Sequence, residues 1–273
     1  VQWVGLEDWT YTSGSFTVAD AILKKEHVTL VFNGLDTYAN VWLNDQHILS
    51  ANNYHRSWEV DVKAILKEEG NKLKVNFKSS VKIGEILATE TAYELPGQEV
   101  RAVTRKPQFH YGWDWGPKLI GCGISAPIDI VGYDNLQLVS HDAVVKEHIS
   151  DKTPVRFVFT VSAEKSFTGS YEIILGDSIK MKGQLNVKKG ENSINHTLDK
   201  CPKSLLWWPI GQGEQKLHNL KFRITNNGKP ALDFEDQIAI RLVDFITNKD
   251  QHGESFFFAI NDEAVFCKGA NYI

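Results

Sequence analysis

Along most of this chain apolar residues recur at every second position, in short runs closed by turn-forming pairs. His27-Val28-Thr29-Leu30-Val31-Phe32 is β-branched and aromatic and is closed by Asn33-Gly34. Tyr38 to Leu43 follows and meets Asn44-Asp45, then Trp58 to Val62 alternates, and Leu73 to Phe77 alternates again after Gly70-Asn71. A side-chain period of two belongs to strands, whose successive residues face opposite sides. Short strands with tight turns between them predict an antiparallel sandwich or jelly roll. Helical spacing is scarce. Ala19 to Lys25 offers one or two turns. Val81 to Leu95 carries Ile83, Ile86 and Leu87 near helical spacing, with Pro96-Gly97 as its stop.

A second strand series begins after Tyr133-Asp134-Asn135. Val155, Phe157, Phe159 and Val161 share one face of a strand, and Tyr171 to Leu175 forms another. Leu185 and Val187, then Ile194, His196 and Leu198, then Leu220, Phe222 and Ile224 keep the same period, with turns at Lys189-Gly190 and Asn226-Asn227-Gly228. About seven strands in such a span predict an immunoglobulin-like sandwich. No Cys…Trp…Cys spacing is present, so it is not of the antibody type. Ser255 to Ile260 then turns at Asn261-Asp262 and returns as Ala264 to Cys267, a hairpin that on its own needs a surface to pack against. The expected division is 1–134, 135–245 and 246–273.

Composition excludes several functions. Of 273 residues, 42% are hydrophobic and 23% charged, which is ordinary globular usage and not that of a disordered or collagenous chain. The net charge of −4 leaves no overall basic field, so a nucleic-acid partner is not expected. No apolar run approaches the roughly 18 residues of a membrane span, and no membrane partner is expected. Cys122, Cys201 and Cys267 are too few and scattered for a zinc ribbon or disulfide framework, and are read as three buried thiols. No phosphate-cradling glycine loop and no His-Glu-x-x-His occur, so neither a cofactor nor a metal is expected. Val1-Gln2-Trp3-Val4 reads as the interior of a protein, without a start methionine or signal pattern.

The chemistry concentrates in Arg105-Lys106-Pro107-Gln108-Phe109-His110-Tyr111-Gly112-Trp113-Asp114-Trp115-Gly116-Pro117. Four aromatics, one His and one Asp fall within the seven residues 109–115, bounded by helix-breaking Gly and Pro. Such a loop suits a sugar. Indole faces pack on the C–H face of a pyranose, and a carboxylate accepts hydrogen bonds from two neighbouring hydroxyls. The same residues also fit a sandwich corner stapled by Trp packing, with Asp114 capping a turn. Trp207-Trp208-Pro209 is a second aromatic cluster, read as an edge-strand or inter-domain plug rather than a ligand platform. Asp8-Trp9 and His55-Arg56-Ser57-Trp58 are read as structural hydrogen-bonding groups. Glycoside hydrolysis usually needs two carboxyls about 5–5.5 Å or 6.5–9.5 Å apart, and no convincing pair stands out.

Five stretches, in order, resemble the β-mannosidases of glycoside hydrolase family 2. They are Gln2-Trp3-Val4-Gly5 with Glu7-Asp8-Trp9; Gly34-Leu35-Asp36-Thr37-Tyr38-Ala39 with Val41-Trp42-Leu43-Asn44; Arg105-Lys106 with His110 to Pro117; Leu206-Trp207-Trp208-Pro209 with Gly213-Glu214-Gln215; and Gly253-Glu254-Ser255-Phe256 through Lys268-Gly269-Ala270-Asn271. The resemblance implies a mainly β chain: a jelly-roll, galactose-binding-like domain, an immunoglobulin-like sandwich, then the first strand of a (β/α)₈ barrel. It implies a retaining, exo-acting hydrolase that releases terminal β-mannose. Its acid/base and nucleophile glutamates lie on later barrel strands, so no catalytic residue is expected in this chain and the chain alone should be inactive. It further implies that Asp114 binds hydroxyls of the terminal sugar with Trp113 as a wall, and that Asn271 occupies a substrate-side position on the barrel's first strand. Expected partners are a β-mannoside or oligosaccharide and the barrel of the same protein. A periplasmic, secreted or lysosomal setting is favoured over a cytoplasmic one. The chain departs from the family at Ser125-Ala126, where Trp-Arg is usual, and at Tyr272, where Trp is common.

Two rival expectations remain. One keeps the family but changes the sugar, to a galactoside, glucuronide or glucosaminide. The other is a stand-alone carbohydrate-binding or adhesion sandwich.

Overall fold

The computed structural model describes residues 1–95, 97, 99–150 and 153–271. The chain divides into two units, Val1–Tyr133 together with the last residues from Asn271, and Asp134–Ala270.

In the first unit the strands are β1 (Trp9–Thr12), β2 (His27–Phe32), β3 (Leu35–Asp36), β4 (Tyr38–Leu43), β5 (Gln46–Asn52), β6 (Trp58–Asp61), β7 (Leu73–Lys78), β8 (Gly123–Ile124) and β9 (Ile128–Tyr133). They form a four-stranded sheet in the order β1-β7-β4-β5, a three-stranded sheet β6-β2-β9, and the short pair β3-β8, all antiparallel. The alternation read from sequence is the cause. Ala39, Val41 and Leu43 of β4 and Val75 and Phe77 of β7 point inward, meeting Val28, Leu30 and Phe32 of β2 in one buried cluster. Burying each large side chain contributes about 1.5–3 kcal/mol. The β4–β5 hairpin closes through Asn44 and Asp45, both at positive φ (51° and 65°), the type I′ geometry that suits the twist of paired strands.

Helices are few. α1 (Asp20–Leu23) is a single turn within the expected 19–25. α2 (Ser80–Glu90) begins at Ser79, whose hydroxyl accepts from the Lys82 backbone N–H at 3.2 Å. It stops five residues short of the expected Leu95. Thr89 and Thr91 turn their hydroxyls back onto Ile86 O (2.7 Å) and Leu87 O (2.9 Å), a local competition that disfavours continuing the helix. The expected stop at Pro96 lies outside the described residues. α3 (Glu99–Ala102) follows. Gly84 lets α2 approach it, since a Cβ there would stand 2.4 Å from Val100 Cγ1. No helix among the described residues is long and apolar enough to cross a membrane.

The second unit holds β10 (Leu136–Val144), β11 (Val155–Ala163), β12 (Phe167–Leu175), β13 (Ile179–Val187), β14 (Gly190–Leu198), β15 (His218–Asn226) and β16 (Lys229–Ile238). These seven make two antiparallel sheets, β10-β11-β14 and β13-β12-β15-β16, the sandwich layout of the immunoglobulin-like class. Val155, Phe157, Phe159 and Val161 are fully buried, as the alternation requires. Phe159 of one sheet stacks on Phe222 of the other, ring centres 3.7 Å apart and nearly parallel. The β15–β16 turn again uses positive φ, at Asn227 and Gly228.

Two expectations need correction. The terminal hairpin, β18 (Phe257–Ile260) and β19 (Glu263–Val265), is not alone: β17 (Val243–Ile246) pairs with β18 and makes a three-stranded sheet. That sheet spans the expected boundary at 245/246, and both of its flanks lie in the second unit. The hydrophobic period of Val243–Ile246 is too short to show from sequence that this strand pairs forward. The thiols also differ, for Cys201 is buried and Cys122 half-buried, but Cys267 is exposed.

Candidate functional site

The aromatic loop of the first unit is built on a buried ion pair. β3 is only two residues long and both are buried, which places the Asp36 carboxylate inside the protein. Lys106, 1% exposed, reaches it with Nζ at 2.6 Å from Oδ1 and 2.5 Å from Oδ2, and also donates to Gly121 O at 2.7 Å. The Thr37 hydroxyl donates to the same carboxylate. An ammonium has three donors and no acceptor, and here three acceptors meet it. His110 Nδ1 stands 3.7 Å from Asp36 Oδ2. Burial pushes the Lys106 ammonium below the usual lysine range, opposed by the hydrogen bond and charge of Asp36. Burial, then the Lys106 charge, lowers His110 as well, so its imidazole favours the neutral form.

From this base the chain leaves at Lys106 and returns at Gly121. Gln108–Tyr111 forms one 3₁₀ turn with Tyr111 buried beneath it, and burial pushes that phenol up to about 12. Gly112 follows at φ 70°. Trp113 and Gly116 then exchange two backbone hydrogen bonds of 3.2 Å, closing a tight turn with Asp114 and Trp115 at its tip. Leu119 N–H donates back to His110 O at 3.0 Å. The aromatics at the tip are turned outward: Trp113 is 51% and Trp115 71% exposed. Their rings lie 6.3 Å apart at 71°, and the Arg101 guanidinium sits 5.3 Å from the Trp113 ring centre. Asp114 is exposed between them and makes no hydrogen bond or ion pair among the described residues. The structural alternative, Asp114 capping its own turn, is therefore not what is seen. Two exposed indoles inclined at 71°, and an exposed carboxylate on the residue between them in sequence, offer apolar faces and hydrogen-bond acceptors on one turn. One carboxylate supplies acceptors but not the acid/base pair of glycoside hydrolysis.

Asn271, the third expected substrate-side residue, is exposed, and no hydrogen bond among the described residues joins it to this turn. Tyr272 lies outside the described residues. Ser125 and Ala126, where the resemblance has Trp-Arg, pack closely on Gly34, and Ser125 N–H donates to Gly34 O at 3.1 Å. The other aromatic clusters are held by contacts within their own units. Trp208 packs on the core of the second unit, and its N–H donates to Glu214 O at 2.9 Å. Trp207 carries Arg241 over its ring at 4.9 Å, and its carbonyl accepts from Asn261 Nδ2 at 2.9 Å. Asp8 holds Lys78 at 2.8 Å and the Ser79 N–H, and the Trp9 indole donates to Val4 O. Arg56 lies over Trp58. Sequence reasoning did not single out the Asp36–Lys106 pair. Its members stand seventy positions apart, and the only local signal was a lysine directly before the loop's first proline.

The fold agrees with comparisons to known proteins. Residues 1–126 match the glycosyl hydrolase 2 galactose-binding domain-like family. By this match the first unit, over residues 1–126, is similar to the galactose-binding-like domain of glycoside hydrolase family 2 proteins. Over its whole length it is 28% identical to β-mannosidase B of Thermothelomyces thermophilus and 29% identical to that of Emericella nidulans, covering 32% and 33% of them. A β-D-mannosidase structure from Dictyoglomus thermophilum superposes on the whole chain with a TM-score of 0.85 at 31% identity, and 34% of that protein is covered. The exo-chitosanase of Amycolatopsis orientalis shares the fold, with a TM-score of 0.66 at 18% identity over 97% of this chain and 29% of its own. The chain thus spans about a third of the length of the curated relatives it matches.

Proposed function

We propose that this chain is the non-catalytic, substrate-side part of a retaining, exo-acting β-mannosidase, and that the Trp113–Gly116 turn binds the terminal sugar. Asp114 accepts hydrogen bonds from hydroxyls of the non-reducing mannose and Trp113 packs on its ring. Asn271 lies on the segment that would lead into the catalytic barrel. The two glutamates that would break the bond have no counterpart among these residues. The observation that carries the reading is the exposed Asp114, without a partner among the described residues and flanked in sequence by two exposed tryptophans, in a chain that aligns throughout with β-mannosidases. Hydroxyls that do not react can still lower the barrier, because their binding energy can be realised in the transition state.

The test uses the full-length protein on chromogenic β-mannoside, β-galactoside, β-glucuronide and β-glucosaminide. The mannoside should be hydrolysed preferentially. Asp114→Asn should lower kcat/KM by about 10- to 150-fold, the equivalent of about 1.5–3 kcal/mol for a hydrogen bond to a charged group. The 273-residue chain alone should give nothing above blank. Preference for another glycoside would move the assignment within the family. Tight glycan binding by the chain alone, with no hydrolysis by the full-length protein, would favour the stand-alone binding sandwich.

A further inference from the structure

We propose that Lys106, with Asp36 as its counter-charge, is the positioning residue that holds the Trp113–Gly116 turn in its ligand-ready shape. The proposal rests on the sugar-binding reading of Asp114. The loop is fourteen residues long, 107–120, and one side chain ties its two ends. Lys106 is the residue from which the loop departs, and its Nζ binds the carbonyl of Gly121, to which the loop returns. The other two donors of that ammonium are taken by the two oxygens of Asp36, on a strand that pairs with β8, which begins two residues after Gly121. Loop start, loop end and sandwich are therefore joined at one atom.

The chemistry of the clamp explains why it is a lysine. Three acceptors converge on a buried point, and a compact ammonium with three donors satisfies all of them. A planar guanidinium would need more room and would bring donors for which no acceptor is present. Burying such a pair is a poor way to gain stability, since desolvation offsets most of the attraction. Its use is geometric. The loop carries two large exposed indoles and an unpartnered acid at its tip, an arrangement that burial does not stabilise. Such a tip keeps one shape only if its base is fixed. Two further cross-links run up the loop from the clamp, Leu119 N–H to His110 O and the paired Trp113 and Gly116 bonds. A ligand then meets Asp114 and Trp113 already placed, without first ordering the loop.

The first measurement needs no substitution. In the wild-type chain, amide exchange at Trp113, Gly116 and Leu119 should be slow, within about tenfold of that in β3 and β8. Exchange at the rate of an unstructured peptide would overturn the proposal. Next, Lys106→Met is compared with the paired change Asp36→Asn/Lys106→Met, which removes both charges and leaves no bare carboxylate buried if the single variant does not fold. In the full-length protein the paired variant should raise KM for a β-mannoside by tenfold or more while kcat falls less, and the three loop amides should exchange faster without change in β2 and β4. In an Asp114→Ala background the same pair should add little, because Lys106 acts through Asp114. Wild-type kcat/KM in the paired variant, or effects that multiply in full with Asp114→Ala, would overturn the positioning role. If Asp114→Ala alone has no effect, the sugar-binding reading fails, and the loop amides still decide whether the clamp exists.

Discussion

Replacing Gly112 with alanine should damage the turn while sparing the sandwich. Gly112 has φ 70° and ψ −168°, a region that residues with a Cβ almost never occupy. Strain of that kind costs about 1–3 kcal/mol. A Cβ would also lie 2.7 Å from Gly116 O and 2.9 Å from Pro117 C and O, all backbone atoms that cannot rotate aside. Taking about 2 kcal/mol for the sum of strain and partial relief, the observed turn loses roughly 30-fold in population against relaxed alternatives. The apparent affinity for a ligand read by Asp114 and Trp113 falls by the same factor. The sandwich does not depend on the tip, whose side chains are exposed, so the thermal midpoint of the first unit should move by only a few degrees. The assay pairs KM for a β-mannoside with intrinsic fluorescence of Trp113 and Trp115 and with a melting curve. Gly121→Ala, where the loop returns, is the control: its backbone is not in the left-handed region and nothing lies within 4 Å of an added Cβ. Unchanged KM and fluorescence in Gly112→Ala, or equal damage from Gly121→Ala, would refute the reasoning.

Two further outcomes follow from other parts of the molecule. Ser79→Ala removes the α2 cap and the hydroxyl bond to Gly5 O at 2.6 Å, and should destabilise the first unit by about 1–2 kcal/mol in urea unfolding, with the slope unchanged. In the second unit the Asp262 carboxylate hydrogen-bonds His148 at 2.6 Å and raises its pKa above the ordinary 6.5. A raised folded-state value means the stabilisation is fully present below pH 6.5 and is lost as pH rises through the folded value. An NMR titration should show this upward displacement in the wild type and its return toward 6.5 in Asp262→Asn.

Much of the architecture could be read along the chain because the signal is local. The strands at His27–Phe32 and Tyr38–Leu43 appear with the ends expected of them, since alternation and a flanking Asn-Gly or Asn-Asp pair are properties of a few consecutive residues. The short strands Leu35–Asp36 and Gly123–Ile124 were not legible, because two residues cannot display a period and each exists only through the other. The α2 end is not legible for a related reason: helix-forming residues continue to Leu95, while Thr89 and Thr91 bond to their own preceding turn.

The same division holds at the site. Composition marks the loop 109–115 as suited to a sugar or to a packed corner, because it concentrates aromatic faces and a carboxylate, and only the family resemblance singles out Trp113 and Asp114 within it. Sequence also determined the two sandwiches, whose inward faces are written in a two-residue period. The outward aim of the indoles, the absence among the described residues of a partner for Asp114, and the ammonium tying position 106 to positions 36 and 121 were decided by tertiary structure. Those facts depend on which groups are brought within about 3 Å of one another after the sheets have formed, and separation along the chain carries no record of that distance.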